Sequence, residues 1–151
     1  MTVPASRKFF RLAHVVKLSE EDAAYLYPDE DLDAVAHRIL QLGPAVVAIT
    51  LGAYGSRIYG PQGRITSPPP TVTVADTVGA GDSYMAGMIH VLAKELTRHP
   101  AADAHHDELT WAATLLTPMI DFASSCSALT VARHGADLPW EADLAQPSPQ
   151  L

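Results

Sequence analysis

Residues 76–89 read DTVGAGDSYMAGMI and hold the side chains and glycines that bear most directly on chemistry. Gly79, Ala80 and Gly81 form a turn between a β-branched run (TVTV, residues 71–74) and an amphipathic helical pattern. Two glycines without Cβ let a ligand approach the backbone closely. The helix that follows leaves amides unpaired in its first turn and carries partial positive charge there. Turn and helix together make an anion site suited to the terminal phosphate of a nucleotide. No Lys-Ser/Thr pair follows the glycines, so the segment is not a Walker A loop. Asp82 stands in the first turn of the helix. The dipole favours its ionised form, and like charge keeps it from binding a phosphate itself. It is placed to accept a proton from the hydroxyl of a second substrate, as in-line phosphoryl transfer requires. A plain tight turn with Asp82 capping the helix is the competing reading, and it would win for a bare Gly-x-Gly.

The elements that must position this segment alternate between strands and helices. Residues 14–18 (HVVKL) read as a short strand. Ser19 follows as a helix N-cap, with Asp22 in the capping-box position where Glu or Gln is usual. The helix covers residues 20–27 and stops at Pro28. A second helix is expected over residues 32–42, where Leu32, Val35, Ile39 and Leu42 make one apolar stripe closed by Gly43 and Pro44. Residues 45–51 (AVVAITL) suit a strand covered on both faces. Residues 56–59 and 64–67 flank Gly60-Pro61-Gln62-Gly63, a hairpin signal. Residues 71–74 read as a further strand. A long helix starts at Gly81 or Asp82, with Met85, Ile89, Leu92 and Leu96 on one face. Thr117-Pro118 divides a later helical pattern in two, Thr117 as N-cap and Pro118 at the first position of a helix running to about residue 128. The expectation is an α/β chain with a largely parallel sheet and a β-hairpin.

The chain has 151 residues, a net charge of −7 and one cysteine, Cys126. Nearly half the residues are apolar, enough for a real core. The acidic balance argues against nucleic acid and against anionic membrane surfaces. No intrachain disulfide can form, and neither a secretory signal nor an apolar run of membrane-spanning length is visible, so a cytoplasmic protein is expected. An acidic chain that binds phosphate must build positive potential locally, from amides, a helix end or a metal ion.

Residues 76–89 resemble the second signature of the ribokinase-like (PfkB-type) carbohydrate kinases, Asp-Thr-x-Gly-Ala-Gly-Asp followed by small residues and an apolar helix. Other segments agree in the family's order. Thr50-Leu51-Gly52-Ala53-Tyr54-Gly55 is similar to the Thr-Leu-Gly-x-x-Gly turn along the nucleotide phosphates. Residues 16–22 (VKLSEED) are similar to the segment that places Asn or Ser, then an acidic residue three later, near the phosphates and magnesium. Here Ser19 and Asp22 take those places, and helix capping by Asp22 competes with a metal role. Residues 122–136 (FASSCSALTVARHGA) resemble the adenine-side helix and loop, with Ser124 where Asn is frequent. The Val-Lys-Leu-Ser start and Tyr27-Pro28 lean toward the fructokinase branch.

The resemblance implies a three-layer ribokinase-like fold, here its C-terminal, ATP-binding portion (residues 1–145), with a flexible tail over residues 146–151. It implies Asp82 as catalytic base and the Gly79, Ala80 and Gly81 backbone as anion hole. It implies a nucleotide site of Ser19, Thr50, Gly52, Gly55, Thr77, Gly79, Ala80, Gly81, Ser124 and Gly135. ATP, Mg2+ and a small sugar are the implied ligands. In some relatives K+ sits behind the hole, at places matching Asp76 and Val78 and a loop matching the segment after Ala132. Family members are longer, and their sugar-gripping first half has no counterpart here. Two readings stay open: a working sugar kinase, or a truncated or split-kinase fragment that binds nucleotide without catalysis of its own. The partner is then a second copy or a separate N-terminal half. Among weaker features, His99, Asp103, His105, His106 and Asp107 match no metal-ligand spacing and read as a solvated loop. Arg133 is read either as an offset to phosphate charge or as a surface arginine. Trp111 and Trp140 read as packing residues.

Overall fold

The computed structural model describes residues 3–61, 63–69, 71–98 and 113–144. In chain order the elements are α1 (Val3–Phe10), β1 (Val15–Ser19), α2 (Glu20–Leu26), α3 (Leu32–Leu40), β2 (Val46–Thr50), a 3-10 turn (Gly52–Tyr54), β3 (Ser56–Gly60), β4 (Gly63–Ser67), α4 (Ala80–Arg98), α5 (Ala113–Val131) and α6 (Glu141–Leu144). The expected histidine-rich loop, Trp111 and the tail lie outside the described residues.

The four strands form one sheet in the order β1-β2-β3-β4. β1 and β2 are parallel, with Val15 opposite Val46 and Ser19 opposite Thr50. β2 to β3 and β3 to β4 are antiparallel. The sheet is therefore mixed rather than largely parallel. Only the β1–β2 link carries helices, α2 and α3, and a parallel pair needs such a crossover; the later links are a single 3-10 turn and a tight hairpin, which return the chain antiparallel.

β2 is buried along Val46, Val47, Ala48 and Ile49. Its alternate side chains enter two cores. Val47 and Ile49 pack with Val16, Leu18, Val35 and Ile39 under α2 and α3. Val46 and Ala48 pack with Ile58, Tyr84, Met88, Leu116, Met119 and Ile120 under α4 and α5. The result is helices, sheet, helices, in three layers. The expected capping box forms despite its Asp: Ser19 Oγ accepts from the Asp22 amide and Asp22 Oδ2 accepts from the Ser19 amide, each at 3.0 Å. On the far side of the same layer, Asp33 of α3 accepts from Tyr59, Arg57 and Arg64 and so clamps the hairpin to the helix.

Four expectations need correcting. Residues 71–74 are in no strand, because no described strand runs beside them; the chain is tied instead at its next two amides, Ala75 and Asp76, both donating to Val131 O. Pro118 lies inside a continuous α5 rather than at a helix start. An interior proline costs about 3 kcal/mol. Burying Leu116, Met119 and Ile120, at roughly 1.5–3 kcal/mol each, outweighs that cost and holds the helix through it. α4 buries Ser83, Tyr84, Gly87 and Met88; of the expected stripe, Met85 and Leu92 pack at the edge of the core, while Ile89 and Leu96 are about half exposed. The buried face is turned by about one residue, roughly 100°, from the expected stripe. Finally, Trp140 is 79% exposed and packs no core.

The reason for the turned face is the closeness of α5. A Cβ on Gly87 would stand 2.8 Å from Ala123 Cα and 3.2 Å from Cys126 Sγ. Thr130 Oγ1, 2.8 Å from Ser83 Oγ and 3.1 Å from Cys126 O, ties the two helices nearer the start of α4. Replacing Gly87 by Ala raises helix propensity by about 1 kcal/mol. The obstacle is backbone, however, and overpacking costs about 1–3 kcal/mol. Gly87→Ala is expected to lower the urea midpoint with an unchanged m-value. A raised midpoint would show that the helices do not approach this closely.

Candidate functional site

The carboxyl ends of the parallel strands β1 and β2 lie side by side, at Ser19 and Thr50. In open α/β sheets, ligands bind in the crevice outside such ends. A cleft of about 320 Å³ opens there, at the small end of the range for ligand pockets. Thr50, Gly52, Gly55, Thr77, Ala80, Gly81 and Ser124, all singled out in the sequence, line it. Gly55 has φ +88, and a Cβ there would run into the backbone of Ser67 and Pro68, so glycine is required where the hairpin leaves the cleft.

Of the remaining candidates, Ser19 ends β1, with its hydroxyl oxygen accepting in the α2 cap. Thr50 Oγ1 donates to Leu18 O at 3.3 Å. Gly79 has φ +81 and packs so closely on the loop after α5 that a Cβ would stand 3.0 Å from Ala136 Cβ. The Ala80 amide donates to Thr77 O over a long 3.3 Å, and the Ser83 amide to Gly79 O at 2.9 Å. Among the described residues no backbone acceptor meets the amides of Gly79 and Gly81. These are the donors the turn offers, at the positive end of a helix of 19 residues. Asp82, itself exposed, follows in the first turn.

Asp76 and Val78, expected as cation contacts, sit just before the turn. Asp76 Oδ1 accepts from the Val78 amide at 3.1 Å, and Oδ2 accepts from the Gly135 amide at 2.9 Å. The carboxylate thus staples the glycine turn to the loop that carries Gly135. The Val78 amide, then that of Gly135, hold its pKa below the ordinary 3.8. Arg133, from the same loop, is paired with Asp137 at 3.4 Å and Asp143 at 3.1 Å and is not aimed at the turn as free charge.

Three features were not legible in the sequence. Tyr84, 2% exposed, lines the cleft and donates to Ser56 Oγ at 2.9 Å. Burial pushes its phenol up, and the hydroxyls of Ser56 and Ser124 act against that. Val72, Val74, Ala128 and Val131 give the cleft apolar walls. Lys17 of β1 reaches Gly81: a Cβ there would stand 2.6 Å from its Nζ. The spacing of Tyr84, Gly87 and Met88 was a signal for the first, and the cation in an otherwise apolar strand was a signal for the last.

The staple has a testable consequence. Its folded pKa lies below the unfolded value, so its contribution is full above that value and is lost as pH falls through the folded pKa, below 3.8. At neutral pH, Asp76→Asn leaves one acceptor and sets an NH2 against an amide donor. Amide exchange at Gly135 or Val78 is expected to quicken several-fold relative to the wild type at pH 7, with little change in the β2 amides. Unchanged exchange at both positions would remove the staple from the account.

Residues 2–143 match the pfkB family carbohydrate kinase description. The chain is 38% identical over 97 residues to a fructokinase of Rhizobium leguminosarum bv. trifolii, covering 63% of this chain and 30% of that protein. It superimposes with a TM-score of 0.75 and 27% identity on a fructokinase with bound ATP from Xylella fastidiosa, covering 89% of this chain and 41% of that one. A Vibrio cholerae fructokinase bound to fructose, ADP and potassium gives a TM-score of 0.71 at 25% identity, over 89% of this chain and 39% of that one. The chain thus spans well under half the length of these relatives. No described helix is long and apolar enough to cross a membrane. Because the family match extends over nearly the whole chain, from residue 2 to residue 143, the chain belongs to the pfkB family of carbohydrate kinases.

Proposed function

We propose that the cleft binds ATP and that the chain belongs to an enzyme phosphorylating a sugar hydroxyl, with a fructokinase-like sugar as acceptor. The observation that carries this reading is the Gly79–Gly81 turn at the start of α4, with two amides open and Asp82 one residue beyond. Amides fixed before the reaction stabilise charge on a transferring phosphoryl group without reorganisation. The apolar walls at Val72, Val74, Ala128 and Val131 suit a flat base, and the Ser56–Tyr84–Ser124 hydroxyls supply the polar partners beside it. Asp82, exposed, faces outward to take the proton of an acceptor hydroxyl.

Mg2+ is commonly held by phosphates and water with only one or two carboxylates. In this cleft phosphates and water would supply most of that shell, and Asp22 is committed to its cap. Mg2+ would neutralise phosphate charge. A K+ behind the turn would be held by the Asp76 carboxylate and the Val78 carbonyl. Asp76 Oδ1 accepts from the Val78 amide and Oδ2 from the Gly135 amide, and a carboxylate with about four lone-pair sites keeps room for such a contact. The relatives named above carry ATP, ADP, fructose or potassium in the same fold, which supports the same ligand classes here.

Two substitutions test this reading. Calorimetry with a non-hydrolysable ATP analogue and Mg2+ is expected to show binding that Gly81→Val abolishes by filling the approach to the turn. In a coupled assay with ATP, Mg2+ and fructose, Asp82→Asn is expected to lower sugar-dependent ADP formation by about 10²–10⁴-fold, leaving affinity for the analogue within about twofold of wild type. No heat at millimolar analogue from folded protein contradicts the nucleotide site. Equal turnover by wild type and Asp82→Asn contradicts the base.

A further inference from the structure

We infer that the groove between the later turns of α4 and the earlier turns of α5 is a second binding site, for a small molecule that joins an oxyanion to a flat apolar ring. The groove shares no lining residue with the cleft at the strand ends. His90, which lines it, is ten residues beyond Ala80 and so about 15 Å along the helix from the glycine turn. The inference therefore does not depend on what the cleft binds.

Helix packing makes the groove. Ser83 meets Thr130, Gly87 meets Ala123 and His90 meets Phe122, so the two helices run antiparallel. At Gly87 they touch with no room for a Cβ. Beyond that contact a space of about 420 Å³ opens, within the range of ligand pockets. His90, Lys94 and Arg98 recur every four residues and form one stripe along α4. Leu115, Pro118 and Phe122 recur at spacings of four and three and form the facing stripe of α5. One wall is basic and the other apolar. The His90 and Phe122 rings stack across the helices, with centroids 4.9 Å apart and planes 16° from parallel. Both rings line the groove, so a flat ligand ring has aromatic surface to pack against.

The charge on the basic wall is not balanced from within. Glu95 is the carboxylate among the described lining residues, and it pairs with Arg98 over a long 3.5 Å. No described carboxylate pairs with Lys94. Lys94 and Arg98 stand at i and i+4, where like charges oppose each other. The negative end of α4 favours a cation in its last turn, which accounts for Arg98, but that field fades within the turn and Lys94 lies before it. An oxyanion set between the two removes their repulsion and accepts a charge-assisted hydrogen bond from each. The His90 imidazole brings a further ring N–H to the same wall. In a chain of net charge −7, a concave surface with two cations and one carboxylate is a local attractor for anions. The apolar wall then selects among anions for those that carry a ring.

The test is an amide NMR titration of the full chain with phenyl phosphate, benzoate, inorganic phosphate and phenol. The Val91, Lys94 and Phe122 amides report the groove, and Gly79 and Gly81 report the cleft. Phenyl phosphate or benzoate is expected to shift the groove amides at millimolar concentration, and the tighter of the two identifies the oxyanion. Inorganic phosphate and phenol, each with half of the recognised features, are expected to bind there more weakly by about tenfold or more. Replacing both exposed cations, Lys94→Gln with Arg98→Gln, is expected to weaken the ring anion to the level of phenol and to leave phenol within about twofold. The comparison of the four probes on the wild type stands without the variant. Groove amides unmoved by both ring anions, shifts confined to Gly79 and Gly81, phenol binding as tightly as the ring anions, or a folded double variant with unchanged affinity overturns the inference.

Discussion

The structure depends on β2 being buried from both sides. Its side chains supply both cores in alternation, Val47 and Ile49 to one and Val46 and Ala48 to the other. That single strand fixes two helical layers relative to each other. It also fixes where the chemistry can be, because β1 runs parallel to it and both end at the same level, at Ser19 and Thr50. The glycine turns at Gly52 and at Gly79–Gly81 converge on that level from opposite directions along the chain, one as the exit of β2 and the other as the entry to α4.

Aiming α4 at the strand ends is the work of α5. The helices touch at Gly87 and Ala123 with no room for a Cβ, and Thr130 bonds across to Ser83 one turn earlier. Tyr84 is then buried beneath the cleft, with its hydroxyl on Ser56 of β3. A packed contact two turns into the helix therefore sets the direction of the amides at its start. Asp76 completes the arrangement by stapling the turn to the loop beyond α5, so that two distant segments form one wall.

Much of this was legible in the sequence, and the reasons are local. The hairpin was marked by glycines flanking Pro61, the α2 start by Ser19 and Asp22, and the anion site by two glycines before a helix. Each signal is carried by neighbours in the chain. What was not legible depends on neighbours in space. The buried face of α4 is set by Ser83 and Gly87, which admit α5, and carries Tyr84 and Met88 inward rather than Ile89 and Leu96. Pro118 reads as a helix start until the burial of Leu116 and Ile120 on either side is seen. Residues 71–74 have strand composition but no partner strand among the described residues. Lys17 looked like one letter of a family motif, and only the fold shows its ammonium set against Gly81.

The central claim is that the amides at the start of α4 are a phosphate site fixed by the packing beneath them. The most direct measurement is a two-dimensional amide NMR titration of the chain with a non-hydrolysable ATP analogue and Mg2+. The Gly79 and Gly81 amides are expected to shift most, together with Gly52 and Val131 across the cleft, while Gly60 and Gly63 in the hairpin turn stay in place. Shifts confined to the hairpin or to α3, with Gly79 and Gly81 unmoved at millimolar analogue, would contradict it.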